Sequence, residues 1–191
     1  SLSTEDGKKI LSEQMKKIEV DNLDTALSNY LKLSNSIIKG NDIDFLIFPF
    51  GCNSSQYKAV ENAINNKVSV IEGPPGTGKT QTILNIIANI LIRNMNCQVV
   101  SNNNAAIENI EEKLKKYNLD FFEALLGKSA NKNNFIENQT DNIPSFKEYE
   151  NINIEDITNV IKNNNSIVKQ IYTSRQNIAI LTQNKNDLTL E

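Results

Sequence analysis

The stretch from Val68 to Thr80, VSVIEGPPGTGKT, decides the fold of this chain. It opens with three β-branched residues, Val68, Val70 and Ile71, a pattern typical of a short buried strand. Gly73–Thr80 then fits the phosphate-loop pattern G-x-x-x-x-G-K-[ST] at every fixed position. The apolar residues that follow cover most of a helix surface: Ile83, Leu84, Ile86, Ile87, Ile90 and Leu91. This order of strand, loop and buried helix indicates a nucleoside triphosphate site rather than a chance match.

The loop supplies the residue types that phosphate binding requires. Glycines let backbone N–H groups approach a phosphate that a Cβ atom would obstruct. We expect Lys79 to reach the β- and γ-phosphates and the Thr80 hydroxyl to bind Mg²⁺, so both are the predicted catalytic residues. The positive end of the following helix adds to the attraction. The predicted phosphate-binding residues are Gly73, Pro74, Pro75, Gly76, Thr77, Gly78, Lys79 and Thr80.

Composition excludes several other classes of protein. The chain has 191 residues, a formal net charge of −3 and no histidine, so histidine triads and histidine metal sites are ruled out. No run approaches the ~18 apolar residues of a membrane span, and no signal-peptide pattern opens the chain. The two cysteines, Cys52 and Cys97, lack metal-site spacing, which favours reduced thiols and a cytoplasmic location.

The segment before the loop contains a second candidate site. Phe45–Phe50, FLIFPF, is predicted to be an extended lead-in because Pro49 interrupts it. Asn53 can cap a helix, and Gln56 stands three residues later, at the capping-box spacing. Gln56 is therefore either a capping residue or, by its position ahead of the loop, an amide that can pair with an adenine edge.

After the first helix the strand pattern returns. Cys97–Ser101 is predicted to be a second buried strand, and Asp120–Leu126 a third. Strands that alternate with helices indicate an α/β fold with a parallel sheet. Between these strands, Asn102–Ala106 leads into a helix, so its asparagines either cap that helix or belong to a ligand site at the sheet edge.

The two ends of the chain have helical patterns. Residues 1–44 carry two apolar stripes, which predict helices that pack on the following domain, with a separate binding module as the alternative. Residues 129–153 are predicted to be an irregular connector. From residue 154 a heptad seam predicts a coiled-coil-like helix: Ile154, Ile157, Ile161, Asn164, Val168, Ile171, Arg175 and Ile178. Its partner is a missing returning helix, another copy of the chain, or the N-terminal helices.

Three segments together resemble the first motor domain of superfamily 1 helicases, in the B branch. They are PFGCNSSQYKAV, SVIEGPPGTGKTQTILNIIANIL and VVSNNNAAIENIEEKL. The resemblance implies that Gln56 reads adenine, and that Gly76, Gly78, Lys79 and Thr80 form motif I. It also places Asn103, Asn104 and Ala105 on the motif that contacts single-stranded nucleic acid, although such helicases usually carry serine where Asn103 stands.

The resemblance implies a partial RecA-like parallel sheet over residues 45–128, flanked by the N-terminal helices and a stalk helix at 154–191. It implies an ATP-dependent, Mg²⁺-dependent helicase as the parent protein. The Asp-Glu pair that such helicases use for hydrolysis does not follow an apolar run after Thr80, so we expect a truncated chain that binds ATP but hydrolyses it slowly or not at all.

Two alternatives use the same residues. An AAA-type ATPase shares the sequence GPPGTGKT, but Gln56 and the asparagine-rich turn are not expected of it. A nucleotide-gated interaction module would instead dimerise through the heptad helix and bind no nucleic acid. The residues expected at that interface are Ile157, Ile161, Val168 and Ile171.

Overall fold

A computed structural model describes residues 16, 25, 26, 28, 44–127, 129–137 and 144–189. The helices expected within residues 1–44 therefore lie outside the described residues, apart from isolated positions. Within these described residues, five α-helices follow one another: α1 (Ser54–Asn65), α2 (Lys79–Leu91), α3 (Asn104–Lys116), α4 (Ser129–Glu137) and α5 (Ile154–Thr189). Short 3₁₀ helices lie at Asp120–Phe122 and Lys147–Tyr149. Helix α4 falls within the segment expected to be an irregular connector.

The predicted parallel sheet is wrong for the described part of the chain. Val68–Ile71 and Cys97–Ser101 are irregular segments without a strand ladder, and the third predicted strand begins as a 3₁₀ helix. Val70 is 81% exposed and Val100 is 79% exposed, so neither lies in a core. A segment becomes a strand only when its backbone N–H and C=O groups pair with a neighbour. The apolar runs have the composition of strands, but here they lack that pairing.

The third predicted strand is replaced because α3 ends in a tight reversal. Asn118 has a φ of 56° and follows the helix, while the N–H of Leu119 donates to the carbonyl of Leu114 at 3.0 Å. This left-handed residue is a common way to end a helix. The chain then turns directly into the 3₁₀ helix at Asp120–Phe122, where Phe121 and Phe122 meet edge to face.

The helices enclose two small apolar cores. Leu84 and Ile87 of α2 pack against Ile110 and Leu114 of α3 in the first. The second is built from Leu46, Tyr57 and Val60, with half-buried residues from α2 and α5 packed around them: Ile86, Val168 and Tyr172. Helix α2 contributes to both cores, as expected of a helix that is apolar over most of its surface. The predicted buried helix after Thr80 is therefore confirmed.

Segment Phe45–Gly51 is irregular and ends in a turn, and side chains of α2 bind its backbone. Asn89 accepts from the N–H of Ile47 at 3.0 Å and donates to the carbonyl of the same residue at 2.7 Å. Asn85 accepts from the N–H of Phe50 at 3.2 Å and donates to the carbonyl of Gly51 at 2.8 Å. Both asparagines are fully buried. They lie four residues apart on one helix face. Together they pair with the backbone N–H and C=O groups of the segment, as a neighbouring strand would.

Helix α5 lies along this segment and along α1. The ring of Tyr172 packs near that of Tyr57, with centroids 5.3 Å apart, and Lys169 pairs with Glu61 at 2.8 Å. The predicted helix is confirmed, although its apolar seam is divided. Ile161 and Val168 are half-buried, whereas four other seam positions are exposed: Ile154, Ile157, Ile171 and Ile178. No described helix has the length and apolarity needed to cross a membrane.

Candidate nucleotide-binding site

The glycine loop, Gly73–Thr80, turns directly into α2. Gly76 and Gly78 have φ angles of 84° and 81°, a left-handed conformation that residues with a Cβ atom rarely adopt. Gly78 also supplies the N-cap of α2 without a capping side chain. Since the first N–H groups of any helix have no acceptor within it, this loop presents unpaired donors and the positive end of α2 to one region. Such an arrangement can hold a phosphate.

Lys79 folds back over the loop that precedes it. Its ammonium donates to the carbonyl of Gly73, and to that of Pro74 at 2.9 Å. The hydroxyl of Thr77 donates to the same Pro74 carbonyl at 2.8 Å. A phosphate in the loop would offer charged oxygens in place of these neutral carbonyls. Hydrogen bonds between charged partners are the stronger type, so the exchange favours the phosphate.

Thr80 is half-buried in the first turn of α2, and its hydroxyl makes no hydrogen bond within the described part of the chain. The described residues contain no group of three or more Cys, Asp or Glu side chains that could hold a metal ion by themselves. A hydroxyl beside a phosphate loop suits Mg²⁺, which usually takes few protein ligands and completes its shell with phosphate oxygens and water. The residues present therefore fit a Mg²⁺ ion that arrives with the nucleotide.

Gln56 contacts the glycine loop directly. Its Oε1 accepts from the N–H of Asn53 at 2.9 Å, and Asn53 Oδ1 accepts from the N–H of Gln56 at 2.9 Å, so the predicted capping box is confirmed. Its Nε2 donates to the carbonyls of Thr77 at 3.2 Å and Gly78 at 3.3 Å. The side chain is only 8% exposed. The Gln56 amide thus takes part in the capping of α1 and also contacts the glycine loop.

Sequence reasoning missed Gln81, which completes this contact. Gln81 Oε1 accepts from Gln56 Nε2 at 3.2 Å, and its own Nε2 donates to the carbonyl of Phe50. The one available signal was its place, two residues after Lys79 in the first turn of an otherwise apolar helix. A polar residue there is equally compatible with simple exposure to solvent.

The predicted nucleic-acid residues lie at the start of α3. Asn103 caps that helix, since its Oδ1 accepts from the N–H of Ala105 at 3.0 Å. The capping interpretation of this turn is therefore confirmed. Asn103, Asn104 and Ala105 are all exposed. Among the described hydrogen bonds, none joins these three residues to the glycine loop.

Comparison with protein families adds an independent observation. The family described as an AAA domain matches residues 51–187, which include the glycine loop, Gln56 and most of α5. No solved structure matches the chain.

Named relatives match a shorter segment. A Saccharomyces cerevisiae protein named as an ATP-dependent RNA helicase, ECM32, is 45% identical over 64 residues, which are 32% of this chain and 6% of that protein. DNA polymerase alpha-associated DNA helicase A of Schizosaccharomyces pombe is 43% identical over 72 residues, 37% of this chain and 11% of the relative. Regulator of nonsense transcripts 1 of Caenorhabditis elegans is 38% identical over 68 residues, 35% and 6% respectively. These relatives confirm the resemblance to superfamily 1 helicases, and the matched segments cover 6–11% of their lengths.

Proposed function

We propose that this chain, which belongs to the AAA-domain family, binds ATP with Mg²⁺ as the nucleotide-binding part of an ATP-dependent helicase. One observation carries the proposal: the buried amide of Gln56 donates to the Thr77 and Gly78 carbonyls of the glycine loop. A group able to bind a base is thereby held against a group able to bind phosphates. The helicase names of the relatives support the wider function.

Each residue of the site has a distinct part in this proposal. Lys79 leaves the carbonyls of Gly73 and Pro74 and binds the β- and γ-phosphates. The N–H groups at the start of α2 bind phosphate oxygens, and Thr80 holds Mg²⁺, which would neutralise phosphate charge. Gln56 pairs with adenine through one acceptor and one donor. The remaining loop residues, Pro75 and Gly76, shape the turn around the phosphates.

The proposed track is a single strand of nucleic acid. Asn103, Asn104 and Ala105 are exposed at the positive end of α3, where backbone and amide donors can bind a phosphate. Contacts with phosphates do not depend on the base sequence, and movement along a strand requires contacts of this kind. We expect little hydrolysis by this chain alone, since no Asp-Glu pair follows an apolar segment after Thr80. We also propose a cytoplasmic location, consistent with its free thiols.

Binding of a fluorescent ATP analogue with Mg²⁺, competed by ATP and by GTP, tests the proposal. Wild type should prefer ATP, and Gln56→Ala should reduce that preference. Lys79→Ala should weaken both nucleotides about tenfold or more, because a charge-assisted hydrogen bond contributes about 1.5–3 kcal/mol. Lys58→Ala, at an exposed position of α1, is the matched control. Equal losses in the Lys79 and Lys58 variants would contradict a phosphate role for the loop.

A second property, self-association through α5, is supported by the exposed face of this helix. We define its outer stripe as Ile157, Val160, Ile167, Ile171, Ile178 and Leu181, all of which are more than two-fifths exposed. These residues keep a strict heptad register together with the polar positions Asn164 and Ser174. The occupant that we propose is a second copy, because asparagine at one core position is a known determinant of pairing between like helices. The dimer surface differs from the one expected from sequence, because Val168 packs against the chain's own core and Ile161 is half-buried.

A further inference from the structure

Gln81 lies at the centre of a chain of amide hydrogen bonds that has only one direction. The Phe50 carbonyl accepts from Gln81 Nε2, and Gln81 Oε1 accepts from Gln56 Nε2 at 3.2 Å. Gln56 Oε1 in turn accepts from the backbone N–H of Asn53 at 2.9 Å. A backbone carbonyl can only accept and a backbone N–H can only donate, so both ends of the chain are fixed. Rotating either side-chain amide by 180° would place an acceptor against an acceptor or a donor against a donor.

This arrangement determines which end of the Gln56 amide is the donor. An amide oxygen and nitrogen held in a known order can accept from the N6 amino group of adenine and donate to its N7. Since Gln56 Nε2 has two hydrogens, it would donate to N7 in place of one of its contacts with the Thr77 and Gly78 carbonyls. Guanine presents an oxygen where adenine presents the amino group. The amide oxygen of Gln56 would then face the O6 atom of guanine, and both atoms are acceptors. The orientation of Gln56 is therefore a basis for selecting the base. Gln81 is the side chain of α2 that holds this orientation, which the Thr77 and Gly78 carbonyls also favour because both accept from Gln56 Nε2.

We propose that Gln81 is a positioning residue for base selection, because it holds the Gln56 amide in the orientation that suits adenine. The inference rests on the proposed binding of ATP at the glycine loop. Gln81 itself need not touch the nucleotide. Its side chain points toward α1 and the Phe50–Gly51 turn. It lies so close to this turn that a Cβ atom added at Gly51 would be 3.4 Å from Gln81 Nε2.

The test separates base selection from phosphate binding. Affinities for ATP, GTP and inorganic tripolyphosphate, each with Mg²⁺, are measured on wild type, Gln81→Met and Gln176→Met. Methionine keeps the length of the side chain and removes both amide groups, and Gln176 is an exposed glutamine on α5 that controls for the chemical change. We expect Gln81→Met to lower the ATP-to-GTP preference about fivefold, a loss of roughly one weak hydrogen bond. Tripolyphosphate affinity should stay within about twofold of wild type, because the phosphate contacts are kept.

The alternative results are distinct. If Gln81→Met weakens ATP, GTP and tripolyphosphate equally, Gln81 only supports the fold, and the inference is wrong. An unchanged ATP-to-GTP preference, in a variant that binds normally, also overturns it. If wild type binds tripolyphosphate without preferring ATP, base selection fails while the phosphate site stands; if it binds no tripolyphosphate, the proposed function fails as well. Should Gln81→Met not fold by circular dichroism, Gln81→Asn takes its place, since it keeps the amide but is too short to join Phe50 to Gln56.

Discussion

Asn165 of α5 binds both backbone polar groups of Leu46. Its Oδ1 accepts from the N–H of Leu46 at 3.1 Å, and its Nδ2 donates to the carbonyl of the same residue at 2.7 Å. Leu46 is itself 5% exposed, so water cannot easily replace these bonds. One amide thus attaches a long helix to the segment that leads into α1 and Gln56.

Asn165→Leu should destabilise the chain because it leaves two backbone groups without partners. We predict a loss of about 1–3 kcal/mol in the free energy of unfolding, the range for a buried polar group that loses its hydrogen bond. Urea unfolding measures this loss. Asn163→Leu, two residues earlier and exposed, is the matched control and should change stability little. Equal effects in the two variants would show that the bonds to Leu46 do not stabilise the fold.

Gly78→Ala should damage the nucleotide site through two separate effects. A Cβ atom at Gly78 would collide with Gln56 Nε2, and the φ of 81° strains any residue other than glycine. Gly76→Ala isolates the second effect, since Gly76 has a φ of 84° but no atom within 4 Å of its added Cβ. Strain of this kind costs about 1–2 kcal/mol.

We therefore predict that Gly78→Ala lowers the melting temperature further than Gly76→Ala, and that Gln56→Ala removes most of the difference. Thermal unfolding of the two single variants, each with and without Gln56→Ala, provides the comparison. A difference that persists in the absence of the Gln56 side chain would contradict the proposed collision.

The hydroxyl of Tyr172 should make stability depend on pH in the alkaline range. Its contact with the Cys52 thiol, 3.5 Å away, and its burial raise the pKa of Tyr172 from 10.0 to about 12. A raised pKa means that folding favours the protonated phenol. The stabilisation is thus complete below about pH 10 and is lost as the pH rises toward 12.

We predict that Tyr172→Phe lowers stability near neutral pH by about 0.5–1.5 kcal/mol, the usual contribution of one hydrogen bond. The difference in unfolding free energy between wild type and Tyr172→Phe should become smaller above pH 10. Unfolding free energies from urea titrations across the alkaline range measure it, with Tyr149→Phe, an exposed position, as the control. A gap that widens with pH would contradict the direction of the pKa shift.

Self-association through the outer stripe of α5 should depend on Ile171. Aspartate at this position would place a charge in an apolar interface, so we predict that Ile171→Asp raises the dimer dissociation constant by more than about tenfold, as expected from the cost of an unpaired buried charge. Sedimentation equilibrium measures it. Ile180→Asp is the control, because Ile180 is exposed on the same helix but outside the stripe. A monomeric wild type, or equal effects of the two substitutions, would contradict the proposed dimer.

Local sequence signals predicted helices α1, α2, α3 and α5, but not α4. The capping box of Asn53 and Gln56 and the apolar repeat after Thr80 each depend on residues within a few positions, so they mark α1 and α2 directly. Strands depend on a second segment that the local pattern does not show. For this reason Val68–Ile71 has the composition of a buried strand but no strand ladder in the described structure.

The polar contacts of the site were harder to predict. Asn85 and Asn89 stand four residues apart among isoleucines. This spacing places two polar side chains on one apolar helix face, where each needs a hydrogen-bond partner. Their partner, the backbone of Phe45–Gly51, has no sequence signature because every residue carries the same groups. Gln56 was predicted from its position, whereas Gln81 depends on the meeting of α2 with the Phe50 turn, which only the structure shows.

The asparagines that bind Phe45–Gly51 also have a consequence for solubility. The sequence FLIFPF is apolar and uncharged, and only Pro49 within it opposes cross-β stacking, so free backbone groups there would favour pairing with other chains. Asn85, Asn89 and Asn165 instead occupy its backbone donors and acceptors within the monomer. These three side chains therefore also leave fewer backbone groups of this segment open to pairing with another chain.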